Sequence, residues 1–314
     1  MGLKRLPYAP LIIVALVSIL FGVLADASSA QTPDDYQTQI ESALAAGRLD
    51  AAEALARQAT RAYPHSAEAY QLLGVVLFKK QSKDEARQAF QRSIELDSRL
   101  PDTYYDMALL ELSKNKYSEA VKPLETFVRL EPSQAEAHLL LGRAYHNLNR
   151  TMPAIAEFKK ALELSPRLPL GHYHLGVAYQ SQGKLTAALE EYRQEMELNP
   201  GFPESYWLAG NIELDRGEST TAEPLFRKAI ALKPQAIPAH YGLARVLVAQ
   251  NRLDAAETEL KAVLAADSND VQAHYTLARL YQRMGRAEDA VREYQVVQAL
   301  HARSQADAPR ESER

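Results

Sequence analysis

The feature that most constrains this chain is a period of 34 residues that runs without insertion or deletion from Pro33 to Ser304. Windows opening at Pro33, Ala67, Pro101, Ala135, Pro169, Pro203, Ile237 and Val271 put alanine at the twentieth position of all eight units: Ala52, Ala86, Ala120, Ala154, Ala188, Ala222, Ala256 and Ala290. The eighth position is small in seven units (Gly74, Ala108, Gly142, Gly176, Gly210, Ala244, Ala278) and is Ile40 in the first. Pro64, Pro132, Pro166, Pro200 and Pro234 close five units at the thirty-second position. A repeat of this length is one supersecondary unit that cannot bury its apolar face alone and is stabilised by stacking on its neighbours.

Each unit reads as two helices. A first half such as "AEAYQLLGVVLFKK", from Ala67, carries apolar residues at i, i+3, i+4 and i+7, the stripe of an amphipathic helix. Near the fifteenth position stand Gly47, Asn115, Asn149, Gly183, Gly217, Asn251 and Gly285, which tolerate the left-handed backbone that ends a helix; Gln81 departs from this pattern. Asp50, Asp84, Ser118, Thr186, Thr220 and Asp254 are expected to cap the second helix, and Pro153 falls where a first-turn proline is tolerated. Small residues at positions eight and twenty let the two helices approach, and Phe90, Phe158, Tyr192, Phe226 and Tyr294 at position twenty-four fill the space beyond.

These residues resemble the tetratricopeptide repeat, whose pattern is aromatic-x-x-Leu-Gly-x-x-Tyr, then Ala, Phe, Ala and Pro. "HLLLGRAYH" and "HYHLGVAYQ" match its first helix, through Leu141, Gly142 and Tyr145 and through Leu175, Gly176 and Tyr179. Glu111 and Glu213 depart from it, standing where Tyr or an apolar residue is usual. The resemblance implies an all-α, right-handed superhelical solenoid of eight units, with first helices lining a concave groove and second helices forming the convex face. The tail from Gln305 is too short and polar for another unit.

Outside the repeat, Lys4 and Arg5 precede fourteen uncharged, mostly apolar residues from Leu11 to Leu24, followed by Ser28-Ser29-Ala30. That is the layout of a secretory signal ending near Ala30, with an uncleaved membrane anchor as the rival. Either reading puts the repeats outside the cytoplasm, periplasmic or secreted. The absence of cysteine removes disulfides and thiolate metal sites. Setting aside Lys4, Arg5 and Asp26 leaves 34 basic and 39 acidic side chains, so no bulk attraction to nucleic acid is expected.

His172 and His174 look at first like a metal pair. Residues two apart on a helix do not face each other, however, and a helical zinc pair prefers His-x-x-x-His. His138, His172, His240 and His274 instead occupy the fourth position, where Tyr36, Tyr70, Tyr104 and Tyr206 stand in the other units, and read as packing rings. Glu190-Glu191 and Asp84-Glu85 read as solvated faces. No phosphate loop, nucleophile turn or dinucleotide fingerprint is present, so the expectation is a protein without catalytic residues, metal or cofactor.

In the resembled family the concave wall is built from positions 2, 5, 6, 9, 12 and 13 of the first helix. Position five carries Tyr105, Tyr173, Trp207, Tyr241 and Tyr275, and position nine carries Arg143, Asn211, Arg245 and Arg279. His174, at position six, and His146 join them, as do Gln282 and Arg283 in the last unit. Arginines beside tyrosines suit carboxylates and ring faces. Glu68, Asp102, Asp106, Glu136 and Glu204 make the early units acidic, whereas units seven and eight are basic. The clamp by which chaperone-docking members hold a C-terminal carboxylate is missing from every three consecutive units. The expected function is an exported scaffold binding a polypeptide segment, within a bacterial cell-envelope assembly or secretion complex. The alternatives are a carbohydrate-binding protein using the ring row and a self-assembling structural protein.

Overall fold

The computed structural model describes residues 31–307, with side chains to residue 303. The expected signal over residues 1–30 lies outside the described residues, as does the tail from residue 308. Sixteen helices and no strand occur among the described residues. Two compact bodies divide them at Pro132. The first holds α1 (Pro33–Ala45), α2 (Leu49–Ala62), α3 (Ala67–Lys79), α4 (Lys83–Leu96), α5 (Pro101–Leu112) and α6 (Tyr117–Leu130). The second holds α7 (Ala135–Asn147), α8 (Thr151–Leu164), α9 (Gly171–Ser181), α10 (Leu185–Leu198), α11 (Pro203–Asp215), α12 (Ser219–Leu232), α13 (Ile237–Ala249), α14 (Leu253–Ala266), α15 (Val271–Arg283) and α16 (Ala287–Asp307). Each odd–even pair is one 34-residue hairpin, so the eight units are eight helix pairs. α16 continues three residues past Ser304, into the segment expected to be tail.

The hairpin interface explains the repeat. All eight position-twenty alanines are at most 2% exposed. At Gly74, Gly142, Gly176 and Gly210 an added Cβ would come within 3.0 Å of the position-twenty-four ring of the same unit. The ring therefore lies directly on the glycine Cα. Sizes at the two positions compensate: Ala108 faces a unit with Leu124, Ala244 one with Leu260, and Ile40 one with Ala56, all fully buried. Ile40, the apparent exception in the sequence, restores the volume its unit lacks at Ala56. In unit eight Ala278 accompanies Tyr294, whose ring is only half-buried and whose hydroxyl reaches Gln282 Oε1 at 3.2 Å.

All eight hairpin turns place position fifteen at φ between 54° and 86°, including Gln81 at 65°. Gln81 is thus no exception in geometry, only in chemistry, since a Cβ in this conformation is strained. The capping expectation needs correcting. The second helices begin at position seventeen, so Asp50, Asp84, Ser118, Thr186, Thr220 and Asp254 sit at the second helical residue. The preceding residue (Arg48, Ser82, Lys116, Lys184, Glu218, Arg252) makes no side-chain cap bond. The acidic members there act on the positive helix terminus rather than on a backbone N–H. Side-chain caps occur instead on first helices, from Thr32, Ser66 and Asp270.

Candidate interaction surface

The four position-four histidines are bonded as well as packed. Nδ1 of His138, His172, His240 and His274 lies 2.6–2.7 Å from a carboxylate nineteen residues on, in Glu157, Glu191, Glu259 and Glu293. Nε2 of the last three faces the position-thirty-two carbonyl of the preceding unit, Pro166, Pro234 or Ser268, at 2.9–3.3 Å. Tyr104 and Tyr206 send their hydroxyls to the same carbonyl, in Ser98 and Pro200. At His172 both imidazole nitrogens thus meet acceptors, Glu191 and the Pro166 carbonyl. The Glu191 bond accordingly raises the His172 pKa against the opposing effect of burial. Glu191 is thus no solvated carboxylate, contrary to expectation. The signal was in the sequence: position twenty-three is Glu in the four His units and Leu55, Ala89, Pro123 or Leu225 in the four Tyr units.

His172 and His174 point at different groups. The His174 ring stacks on Phe158 at 5.7 Å and 16° and is half-buried, which pushes its pKa down to about 4, with Arg143 and His146 opposing the proton further. Position six therefore packs on the ring of the previous unit. Gly242 does the same against Phe226, where an added Cβ would lie 2.1 Å from the ring. Among the described residues no three His, Asp or Glu side chains converge in a metal-binding group.

The position-five rings are part wall, part packing. In the first body Tyr105 is half-buried with its ring 5.0 Å from Phe127. In the second, the Tyr173 and Phe202 rings meet in a T shape at 5.0 Å, and the Tyr241 hydroxyl donates to Asp270 Oδ1 at 2.7 Å. Phe202 and Asp270 both precede the next unit's first helix, so each ring leans on the following junction. Trp207 is half-buried against the core of units six to eight, with Lys233 Nζ 5.8 Å from its ring. Tyr275, after which no further unit stands among the described residues, is 42% exposed.

Position nine is more open. Arg143, Arg245 and Arg279 are exposed and Asn211 half-buried. Arg245 pairs with Asp215 at 2.9 Å on the surface. His146 Nε2–H donates to Ser181 Oγ, which itself donates to the Val177 carbonyl, and burial lowers the His146 pKa.

The structure also accounts for the two departures in the first helices. Glu111 and Glu213, 1% and 5% exposed, are bonded by Arg87 at 2.6 Å and Arg193 at 3.0 Å from the preceding second helices. Where position eleven is Tyr281, its hydroxyl instead meets Glu257.

Family profiles described as tetratricopeptide repeat match residues 38–101, 105–169 and 173–237, and further ones match 213–275 and 271–295. The chain belongs to the tetratricopeptide-repeat family. No curated protein matches it in sequence. Among solved structures, MamA is 25% identical over 52% of this chain and 95% of its own, with a TM-score of 0.51. YrrB, described as a tetratricopeptide-repeat protein with an unusual peptide-binding site, is 21% identical over 62% and 97%, with a TM-score of 0.55. The C-terminal part of a repeat protein from Cytophaga hutchinsonii reaches a TM-score of 0.60 at 18% identity, covering 72% and 93%. These likenesses place the chain among tetratricopeptide-repeat solenoids. No helix among the described residues is long and apolar enough to cross a membrane.

Proposed function

We propose that this repeat protein is a non-enzymatic scaffold that holds a polypeptide segment against the first helices of its second body. The observation that carries this is the position-nine row. The side chains of Arg143, Asn211 and Arg279 make no hydrogen bond or ion pair among the described residues, yet they recur at one register of the first helices, Arg279 lying 6.0 Å from the Tyr275 ring. Polar groups repeated at one register suit a ligand whose own polar groups recur, as a peptide backbone does. The printed description of YrrB as peptide-binding is in keeping with this use of the fold.

The leader-like residues 1–30 and the repeat together favour an exported protein, periplasmic or secreted, working in a bacterial cell-envelope assembly or secretion complex. The carbohydrate alternative is less well supported, because stacking on a sugar needs open rings and Tyr173, Trp207 and Tyr241 are half-buried, with Tyr173 packed on Phe202 and Tyr241 tied to Asp270. Self-association has one observation in its favour: Val291 on α16 is 54% exposed at a register where Val121, Ile155 and Leu189 are buried.

A photo-crosslinking amino acid in place of Arg143 or Tyr275 tests the scaffold reading. Crosslinks in cells to a distinct polypeptide from these sites, and none from Lys160 on α8, are the expected result. Crosslinks only between copies of the chain would favour self-assembly, and equal labelling from Lys160 would remove the surface assignment.

A further inference from the structure

Between α13 and α15 lies a concavity of about 390 Å³ whose lining includes Arg245, Arg279 and Arg283 and not one carboxylate. Its apolar floor is Val248, Ala249 and Leu280. The three guanidinium groups differ in how they are held. Arg283 is fixed by neutral acceptors, donating to the Val248 carbonyl and to Asn251 Oδ1, both at 3.0 Å, so it is oriented without losing its charge. Arg279 lies 6.0 Å from the Tyr275 ring and has no hydrogen bond or ion pair among the described residues. Arg245 has one carboxylate neighbour, Asp215, and both side chains are more than half exposed, a pair worth little in water. Two positive charges beside apolar lining residues therefore remain uncompensated, and the third is only loosely paired at the surface.

We propose that this concavity is a subsite for acidic side chains, so that the segment held by the second body carries Asp or Glu where it crosses units seven and eight. The proposal rests on the scaffold reading above and narrows its partner to an acidic polypeptide. Charge complementarity commits the site to carboxylates. Guanidinium groups hold them through paired N–H donors, and Val248, Ala249 and Leu280 cover the methylenes that carry them. Arg245 and Arg279 share position nine of successive units, and Arg283 lies one helical turn beyond Arg279, so the charges spread along the path of an extended chain rather than meeting at one anion. An acidic chain would also displace the Asp215 partner of Arg245, freeing the third guanidinium on arrival.

The test uses the full repeat chain and a displayed library of random twelve-residue peptides, followed by fluorescence anisotropy on the most enriched sequence. The expected result is enrichment of Asp and Glu among selected peptides. Replacing them by Asn and Gln, or making Arg279→Gln or Arg283→Gln in the protein, weakens binding about tenfold or more. Arg279→Lys recovers only part of this, while Arg57→Gln in the first body changes nothing. Selected peptides without acidic enrichment, or affinities unmoved by Arg279→Gln, overturn the acidic assignment and leave the scaffold reading intact. Selection of no peptide at all overturns both. Tighter binding of inorganic phosphate or of phosphatidylglycerol vesicles than of the acidic peptide likewise overturns it. Circular dichroism of each arginine variant separates lost binding from lost folding.

Discussion

The imidazole of His172 in α9 donates through Nδ1 to the carboxylate of Glu191 in α10 at 2.7 Å, and the same bond recurs in every unit that has His at the fourth position. Wherever that position is Tyr, the acid is missing and an apolar residue stands in its place. The two side chains behave as one exchangeable part.

That coupling is measurable. Glu191→Leu alone leaves a donor of His172 without its partner and should cost about 1–2 kcal/mol. Adding His172→Tyr reproduces the combination found at Tyr206 and Leu225 and should recover most of the loss. Urea denaturation of the two single variants and the double variant gives the coupling directly, and strict additivity would refute it.

The pair also sets a sign for pH dependence. The His172 pKa is raised above 6.5, so its contribution is complete below that value and is lost as pH rises through the higher folded value. Thermal unfolding followed upward from pH 6.5 should show a decline that Glu191→Gln reduces.

His174 acts in the opposite direction. Its pKa falls from 6.5 to about 4, so the folded chain rejects a proton the unfolded chain accepts, and stability is lost as pH drops through that interval. His174→Leu, the residue found at the same register as Leu208, should remove about 2–3 kcal/mol of the acid-side loss. Denaturant midpoints at pH 7 and pH 4 provide the comparison, and an unchanged acid limb would contradict the assignment.

Ring and glycine can be tested where they touch. Gly176→Ala would place a Cβ 2.7 Å from the Tyr192 ring and 3.3 Å from the Ala188 carbonyl, and should destabilise by about 1–3 kcal/mol. Gly201→Ala meets nothing within 4 Å and should be close to neutral by the same denaturation measurement.

The turn at Gln81 offers a gain instead. With φ at 65°, Gln81→Gly removes a strained Cβ and should raise stability by about 0.5–1 kcal/mol, visible as a higher midpoint in urea.

The fold was legible in the sequence because its determinants repeat. One buried alanine is ambiguous, but eight in a fixed register are not, and the helix boundaries followed from the turns at position fifteen. What escaped was pairwise. Ile40 looked anomalous because position eight was read alone, without Ala56 opposite it. Glu191 looked solvated because its partner is nineteen residues away on another helix. The cap positions were misread because Asp50 and its counterparts stand two residues past the cap, a shift that composition does not reveal. At the candidate surface the sequence identified the residue rows but not their division of labour. Whether Tyr241 is a contact or a strut depends on Asp270 in the next junction, and whether Arg283 is available depends on which acceptors hold it.

Phe226 belongs to unit six, while the glycine hollowed to receive its outer face, Gly242, belongs to unit seven. The boundary drawn by sequence period therefore cuts through a fitted pair, whereas the His–Glu bond never crosses it. A unit transplanted as a cassette would carry its internal lock intact but lose the partner of its socket. Moving the cut between the two helices of a unit would keep that socket only by parting Phe226 from Gly210 and His172 from Glu191, so a shuffled module needs a following neighbour whose sixth position fits its ring.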